Sequence, residues 1–336
     1  MSNKNELTYH INKRPMELQQ FSHSYDSLIE GFSETSSQNR MLEDFTERLQ
    51  RLIAKGGPDR SDYNVLDDLM INLHQAVKEG DLMPHELDSL KKCFHTEFLE
   101  ETVHGYAYRK PLGYAGDYLL IDKIYTFYKT SHRRYKKWDQ YFHALRATQA
   151  VRNRKDYFKA QMLATLQTQR SSMTLLNVAS GPARDLFELY QEIDPQRLQT
   201  TCIDVDARAL SFAQELCRDY ASQTTFCNKN VLRFSTQDKF DVIWSAGLFD
   251  YFEDKIFVLA LKRFMSWLKP GGEIIIGNFS EDNTDRGYME IFGDWILIHR
   301  SKEELIRLSL LAGAKEECIV VDQEPLGINL FLKIKG

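Results

Sequence analysis

Apolar residues in the first half of the chain recur at helical spacing. Between Gln38 and Ala54 they fall at Met41, Leu42, Phe45, Leu49, Leu52 and Ile53, and Gly56-Gly57-Pro58-Asp59 ends that face. Val65, Leu66, Leu69, Met70, Leu73 and Val77 predict a second helix over about 62–78. A third is predicted from Pro84, which suits a first helical position, to about Val103. The stretch from Gly105 to Tyr118 then breaks the pattern, and helices resume at about 117–130 and 134–168. From Thr174 the period changes. Strands are predicted at 174–179, 199–204, 224–227, 240–245, 272–279, 316–322 and 328–334, with helices at 183–192, 207–220, 254–268 and 302–312. Such alternation implies a parallel sheet covered on both faces. Gln323-Glu324-Pro325-Leu326-Gly327 is short enough for a hairpin, which predicts an antiparallel strand at the sheet's end. The fold class is therefore α/β: a doubly wound seven-stranded sheet, last strand antiparallel, over residues 171–336, preceded by an all-helical lid or substrate domain over residues 1–170.

Composition narrows the class without naming a chemistry. A hydrophobic content of 43%, 27% charged residues and a net charge of −5 describe a globular protein and do not suggest a general nucleic-acid binder. No apolar run approaches the ~18 residues of a membrane span. Met1 to Glu6 lack the apolar core of a signal peptide, so the cytoplasm is expected. The five cysteines form no CxxC pair and the nine histidines show no HxH or HxxxH spacing, so no metal is expected.

The chemistry concentrates at the ends of predicted strands, where a doubly wound sheet binds its ligand. Leu175-Leu176-Asn177-Val178-Ala179-Ser180-Gly181-Pro182-Ala183-Arg184-Asp185 reads as a strand, a tight turn and a helix start, offering free N–H groups to an anion. Cys202-Ile203-Asp204-Val205-Asp206 ends the second strand in an acid, which in such folds accepts from both ribose hydroxyls of a nucleoside. Asp241 to Gly247 is a third apolar strand running into small residues. With one glycine, the first turn lacks the GxGxxG of a dinucleotide site, and no GxxxxGK[ST] is present. A nucleoside without phosphates, such as S-adenosylmethionine, fits better.

Over residues 174–280 these motifs resemble a class I S-adenosylmethionine-dependent methyltransferase with a Rossmann-like sheet. Asn177 to Ala183 match its first motif, although Ala179 and Ala183 stand where glycine is frequent. Asp204 matches the acidic second motif, and Lys229-Asn230-Val231 the adenine-side loop, with Asn230 where Asp is frequent. Phe240-Asp241-Val242-Ile243 and Leu268-Lys269-Pro270-Gly271-Gly272 match the later pattern. The resemblance implies S-adenosylmethionine as cofactor, held by Asn177, Ala179, Ser180, Gly181, Pro182, Asp204, Val205, Asn230, Val231, Ser245 and Gly247.

The loop from Tyr108 to Tyr118 is the second place to look for function, because it gathers charged and aromatic residues around two glycines and can fold over the pocket. Arg109 is a partner for a carboxylate of cofactor or substrate. Asp117 either accepts from the cofactor's amino group or caps the next helix. With Ser245 to Tyr251 and Trp295 to Arg300, this loop resembles a narrower bacterial group, methyltransferases linked to quorum signals of the 3-hydroxy fatty acid methyl ester type. The expected reaction is methyl transfer to a small molecule, at a carboxylate or hydroxyl, including a hydroxy fatty acid. Tyr114 and His299 are the catalytic candidates, with His104 and Asp250 also considered as bases. Tyr108, Tyr118, Asp250, Tyr288 and Arg300 are the substrate-facing candidates. Two alternatives stand beside this reading. A nucleic-acid or protein methyltransferase would use the basic stretch 131–159, where Arg133, Arg134, Lys136, Lys137, Arg146, Arg152, Arg154, Lys155 and Lys159 face only Asp139 and Asp156, unless that stretch is merely a solvated helix face. The other is a non-catalytic cofactor-binding docking protein. The methyl acceptor and the oligomeric state stay open.

Overall fold

The computed structural model describes residues 27–169 and 171–336. Met1 to Glu6, read above for a signal sequence, and the start of the 1–170 helical segment lie outside the described residues. Residues 42–336 pack as one unit. The helices before the sheet are α1 (Ser27–Ala54), α2 (Tyr63–Glu79), α3 (Asp88–Lys91), α4 (Thr96–Glu101), α5 (Val103–Arg109), α6 (Tyr118–Tyr125), α7 (Lys136–Ala144) and α8 (Arg146–Thr168). Then follow β1 (Met173–Val178), α9 (Arg184–Tyr190), β2 (Leu198–Asp204), α10 (Ala207–Leu216), β3 (Thr224–Asn228), β4 (Phe240–Ser245), α11 (Asp254–Trp267), β5 (Leu268–Phe279), α12 (Arg286–Gly293), α13 (Lys302–Leu311), β6 (Ile319–Gln323) and β7 (Asn329–Lys335). No helix among the described residues is long and apolar enough to cross a membrane.

The strands lie in the order β3-β2-β1-β4-β5-β7-β6. β7 is antiparallel to both β5 and β6, so the antiparallel strand sits inside the sheet and β6 forms the edge, not β7 as the hairpin alone implied. Successive side chains feed two cores. Leu176, Val178, Ile243, Ile274 and Ile276 meet α11 and α13 on one face. Leu175, Val242, Trp244, Ile275 and Phe331 meet α8, α9 and α10 on the other.

Three predicted helices end differently. The helix expected from Pro84 to Val103 breaks into turns, α3 and α4, because His95 Nδ1 accepts from Phe98 N (3.4 Å) and Thr102 Oγ1 from Gly105 N (2.8 Å), starting new helices at each. The one expected over 117–130 stops at Tyr125, two residues before Phe127 turns left-handed at φ +55°. The one expected over 134–168 splits at Leu145, and α8 takes its cap from far away: Asp285 accepts from Ala147 N at 2.7 Å. Helix α12 was not predicted, since its apolar residues lie between Gly287 and Gly293 in a stretch that reads as loop.

The elbow between α4 and α5 positions His104 and the loop that follows. A side chain at Gly105 would overlap the backbone of Leu99. Gly105→Ala is therefore expected to destabilise the fold by ~1–3 kcal/mol. Urea unfolding measures this, and an unchanged midpoint would show that the elbow has room.

Candidate functional site

The turn after β1 is held in a shape that its sequence resists. Ala179 and Ala183 both adopt left-handed backbone, at φ +52° and +49°, where a Cβ is disfavoured. Hydrogen bonds impose it: Ser180 N donates to Ile203 O (3.2 Å), Ala183 N to Ser180 O (3.0 Å) and Gly181 N to Asp204 Oδ2 (2.9 Å). With Pro182 lacking an N–H, these bonds remove most of the free amides that the sequence seemed to offer an anion. Asp204 Oδ1 accepts from Asp206 N at 2.9 Å. Burial raises the Asp204 pKa while these two amides pull it back down. Beside it Val205 is 55% exposed, an apolar side chain left in the open. Asn230 is exposed and its Oδ1 closes a turn on Leu232 N (2.8 Å), burying Val231. At the ends of β1 and β4, Asn177 Nδ2, Ser180 Oγ and Ser245 Oγ are buried without a hydrogen-bond partner.

Arg154 is a buried cation at the end of β4. It is 5% exposed; its Nε donates to Tyr125 Oη (3.0 Å) and one terminal nitrogen to Ala246 O (3.4 Å), beside Gly247. Asp185 and Asp250 flank it. Burial pushes both carboxyls up to about 6 against the pull of the guanidinium. In the sequence Arg154 stands within a basic run. The signal that separates it is spacing: with Ala147, Ala150, Val151, Phe158 and Met162 it lies on the apolar face of α8. Of the other basic residues, Arg133, Arg134, Lys136 and Arg146 are exposed, while the rest have partners. Lys137 pairs with Asp59, Lys155 and Lys159 with Glu188, Lys159 also with Glu192, and Arg152 with His143.

The Tyr108–Tyr118 loop crosses the sheet end as a strap. On the β2 side Leu112 O accepts from Arg208 (3.1 Å) and Tyr114 Oη donates to Asp206 (2.9 Å). On the β4 side Tyr251 Oη donates to Ala115 O (3.4 Å) and accepts from Trp295 Nε1 (2.8 Å), while Gly116 lies against the Trp295 ring. Because β1 lies between β2 and β4, a segment anchored at both crosses the end of β1. Lys110 and Lys91 both pair with Asp294 (2.9 and 3.1 Å), fastening its start.

Several predicted site residues have structural work instead. Arg109 is exposed, and its Nε donates to Leu99 O (2.9 Å) rather than to the turn. Asp117 caps α6 through Leu119 N and Leu120 N and accepts from Tyr106 Oη. His299 uses both nitrogens, on Leu297 O and Asn283 Nδ2 (3.1 Å each), and burial lowers its pKa to about 4. Tyr114 belongs to the strap, on the β2 side. Asp250 accepts from Phe279 N at 2.6 Å. Arg300 is buried, and its two terminal nitrogens donate to Phe249 O, Asn278 Oδ1, Phe252 O and Asp254, so they are not open to an acidic substrate. Tyr108 lies beneath Lys91 and Tyr118 packs on Phe212 of α10.

Tyr288, the remaining substrate-facing candidate, is buried. It lines an almost wholly apolar cavity with His104, Ile124, Phe142, Val151 and Phe279, bounded by the helical segment, the end of β5 and α12. About 30 Å³ admits the centre of a water-sized sphere, enough for a water or two, so a larger occupant must displace side chains.

Residues 175–272 match a family model described as a methyltransferase domain. Nodulation protein S of Sinorhizobium fredii (strain NBRC 101917 / NGR234) is 26% identical over 166 residues, 46% of this chain and 76% of that protein. A solved structure from Bordetella parapertussis, described as a possible exported protein, shares the fold with a TM-score of 0.59 at 17% identity, over 89% of this chain and 96% of that one. The CurJ carbon methyltransferase shares it at a TM-score of 0.50 and 15% identity, over 71% and 65%. Motif order, sheet topology and the matched domain agree: the chain carries a methyltransferase domain of the class I S-adenosylmethionine-dependent kind.

Proposed function

We propose that the enzyme methylates a small molecule with an apolar body, at a carboxylate or hydroxyl; a hydroxy fatty acid has that shape. The apolar cavity beside the end of β5 carries the reading. Its walls suit a hydrocarbon or aromatic body and are far too narrow for a folded macromolecule. Pairing with carboxylates withdraws Lys137, Lys155 and Lys159 from the basic stretch, which weakens the case for a nucleic-acid surface there.

The residues at the strand ends fit the cofactor. Three buried polar atoms there lack partners, and a Cβ on Gly181 would meet nothing within 4 Å, leaving open space above the turn. Asp204 would take the ribose hydroxyls, because each carboxylate oxygen has one amide and a remaining lone pair. Val205 would lie along the adenine, with Asn230 and Val231 at its edge. Asn177, Ala179, Ser180, Pro182, Ser245 and Gly247 would line the methionine end, with Arg154 as the cation for its carboxylate in the role expected of Arg109. When bound, S-adenosylmethionine supplies an electrophilic methyl group on a sulfonium. The chain's task is then alignment and exclusion of water, worth ~7–11 kcal/mol when the fit is good. The strap closes over the turn, and the helical segment covers the sheet end as a lid. A carboxylate nucleophile needs no base, which accords with His299 having both nitrogens engaged.

Calorimetric titration with S-adenosylhomocysteine tests the site. Asp204→Ala is expected to weaken binding ~10–100-fold, the value of hydrogen bonds to a charged group; unchanged affinity sinks the assignment. Tyr251→Phe removes the strap's β4 anchor, so stopped-flow should show faster release of S-adenosylhomocysteine with little change in its association rate. Arg154→Met removes the buried guanidinium near Asp185 and Asp250, leaving Asp250 only Arg300, and should cost ~1–3 kcal/mol of stability at pH 7.5. Their folded pKa values lie above the unfolded range, so the folded state holds extra protons and stability falls as pH rises through about 6. Removing Arg154 raises those values further. The loss should therefore be smaller at pH 5, and equal losses at both pH values would refute the coupling.

A further inference from the structure

In the acceptor cavity, His104 and Tyr288 come together from positions 184 residues apart: Tyr288 Oη hydrogen-bonds His104 Nδ1. The other ring nitrogen, Nε2, is buried without a partner in a side chain that is 2% exposed. Burial holds the imidazole neutral, with its pKa lowered to about 3. Its surroundings are Phe94, Phe98, Trp138 and Phe292, none of which offers an oxygen. A polar atom stranded in an apolar wall costs ~1–3 kcal/mol. Nearby polar groups have other duties: Asp285 caps α8, and Asp139 accepts from Val103 N and Thr130 N.

We infer that the His104–Tyr288 pair determines specificity: Nε2 hydrogen-bonds a neutral oxygen, a hydroxyl or carbonyl, on the apolar body of the acceptor, away from the atom that is methylated. Tyr288 is the positioning residue, fixing the ring so that Nε2 is the nitrogen left for the ligand. A carboxylate does not suit this point, because no lysine or arginine lines the cavity among the described residues and Asp285 does. The inference rests on the cavity being the acceptor site.

The test is calorimetry with saturating S-adenosylhomocysteine, using octanoic acid and its 2-, 3- and 8-hydroxy derivatives as probes. The wild type should favour one hydroxylated probe over octanoic acid by ~3–10-fold, the value of one neutral hydrogen bond. His104→Asn keeps an amide atom where Nδ1 meets Tyr288 and deletes Nε2. It should abolish the preference while leaving S-adenosylhomocysteine binding within twofold. Tyr288→Phe should reduce the preference, and His104→Gln, which restores a nitrogen at the Nε2 position, should recover part of it. Binding without preference for any hydroxylated probe, or a preference that survives in His104→Asn, overturns the inference alone. Failure of every probe to bind, or undiminished binding in the cavity-filling variant Val151→Phe, overturns the reading of the cavity itself. Unfolding midpoints of each variant separate these outcomes from misfolding.

Discussion

The arrangement of the site depends on one buried guanidinium. A charge as enclosed as that of Arg154 is tolerated only with compensating partners, and each partner holds another part of the machinery. Tyr125 ends α6, Ala246 follows β4, Asp185 opens α9, and Asp250 binds Phe279 N at the end of β5. The Asp250 backbone carbonyl also accepts from Ile298 N at 2.7 Å, fixing the segment that carries Trp295 and Arg300. Through Arg154 the helical segment is registered against the strand ends where ligand chemistry gathers. Asp185 and Asp250 remain only partly neutralised, which makes the assembly sensitive to proton concentration in a way that a hydrophobic contact would not be.

The sheet was legible because its central strands are buried on both faces. Runs such as Val242–Trp244 and Ile274–Ile276 are continuous apolar segments whose alternate members serve opposite cores, and no distant residue is needed to define them. The turn and Asp204 were legible for a similar reason, since they follow such strands directly. The helical segment was harder. Its breaks are set by caps, and the cap of α8 is Asp285, 138 residues away. Asp139, likewise, stabilises backbone at both Val103 and Thr130. No local pattern announces a hydrogen bond of that span. The predicted substrate residues after β5 divided for the same reason: Tyr288 reaches the cavity, while Arg300 satisfies carbonyls that became its partners only when the chain folded.

The two alanines in the first turn show tertiary structure overriding local preference. Left-handed backbone costs an alanine roughly 1–2 kcal/mol, and the turn contains two such residues. Asp204 offsets that cost by accepting from Gly181 N, a bond of the charge-assisted kind worth about 1.5–3 kcal/mol. Ala183 is fully buried, so its methyl group contributes packing that glycine would lack. The motif is thus poor in glycine without being loose. Geometry that glycines would permit is here enforced by the acid of the neighbouring strand, so that Asp204 shapes the turn as well as facing the cleft.

The strap and the cavity are joined through Trp295. Its ring lines the cavity and lies against Gly116, and its Nε1 holds the Tyr251 hydroxyl that in turn donates to Ala115 O. A movement freeing the strap from Tyr251 therefore withdraws a support from the cavity wall. A ligand that pushes Trp295 aside disturbs the strap above the turn by the same contacts. The cavity is too narrow in this form for more than a water or two, so on the proposed reading an acceptor would have to displace some of its lining. The segment linked to that lining by consecutive hydrogen bonds is the one that crosses the end of β1. Trp295 is thus the contact through which a change in the cavity wall and a change in the strap are coupled.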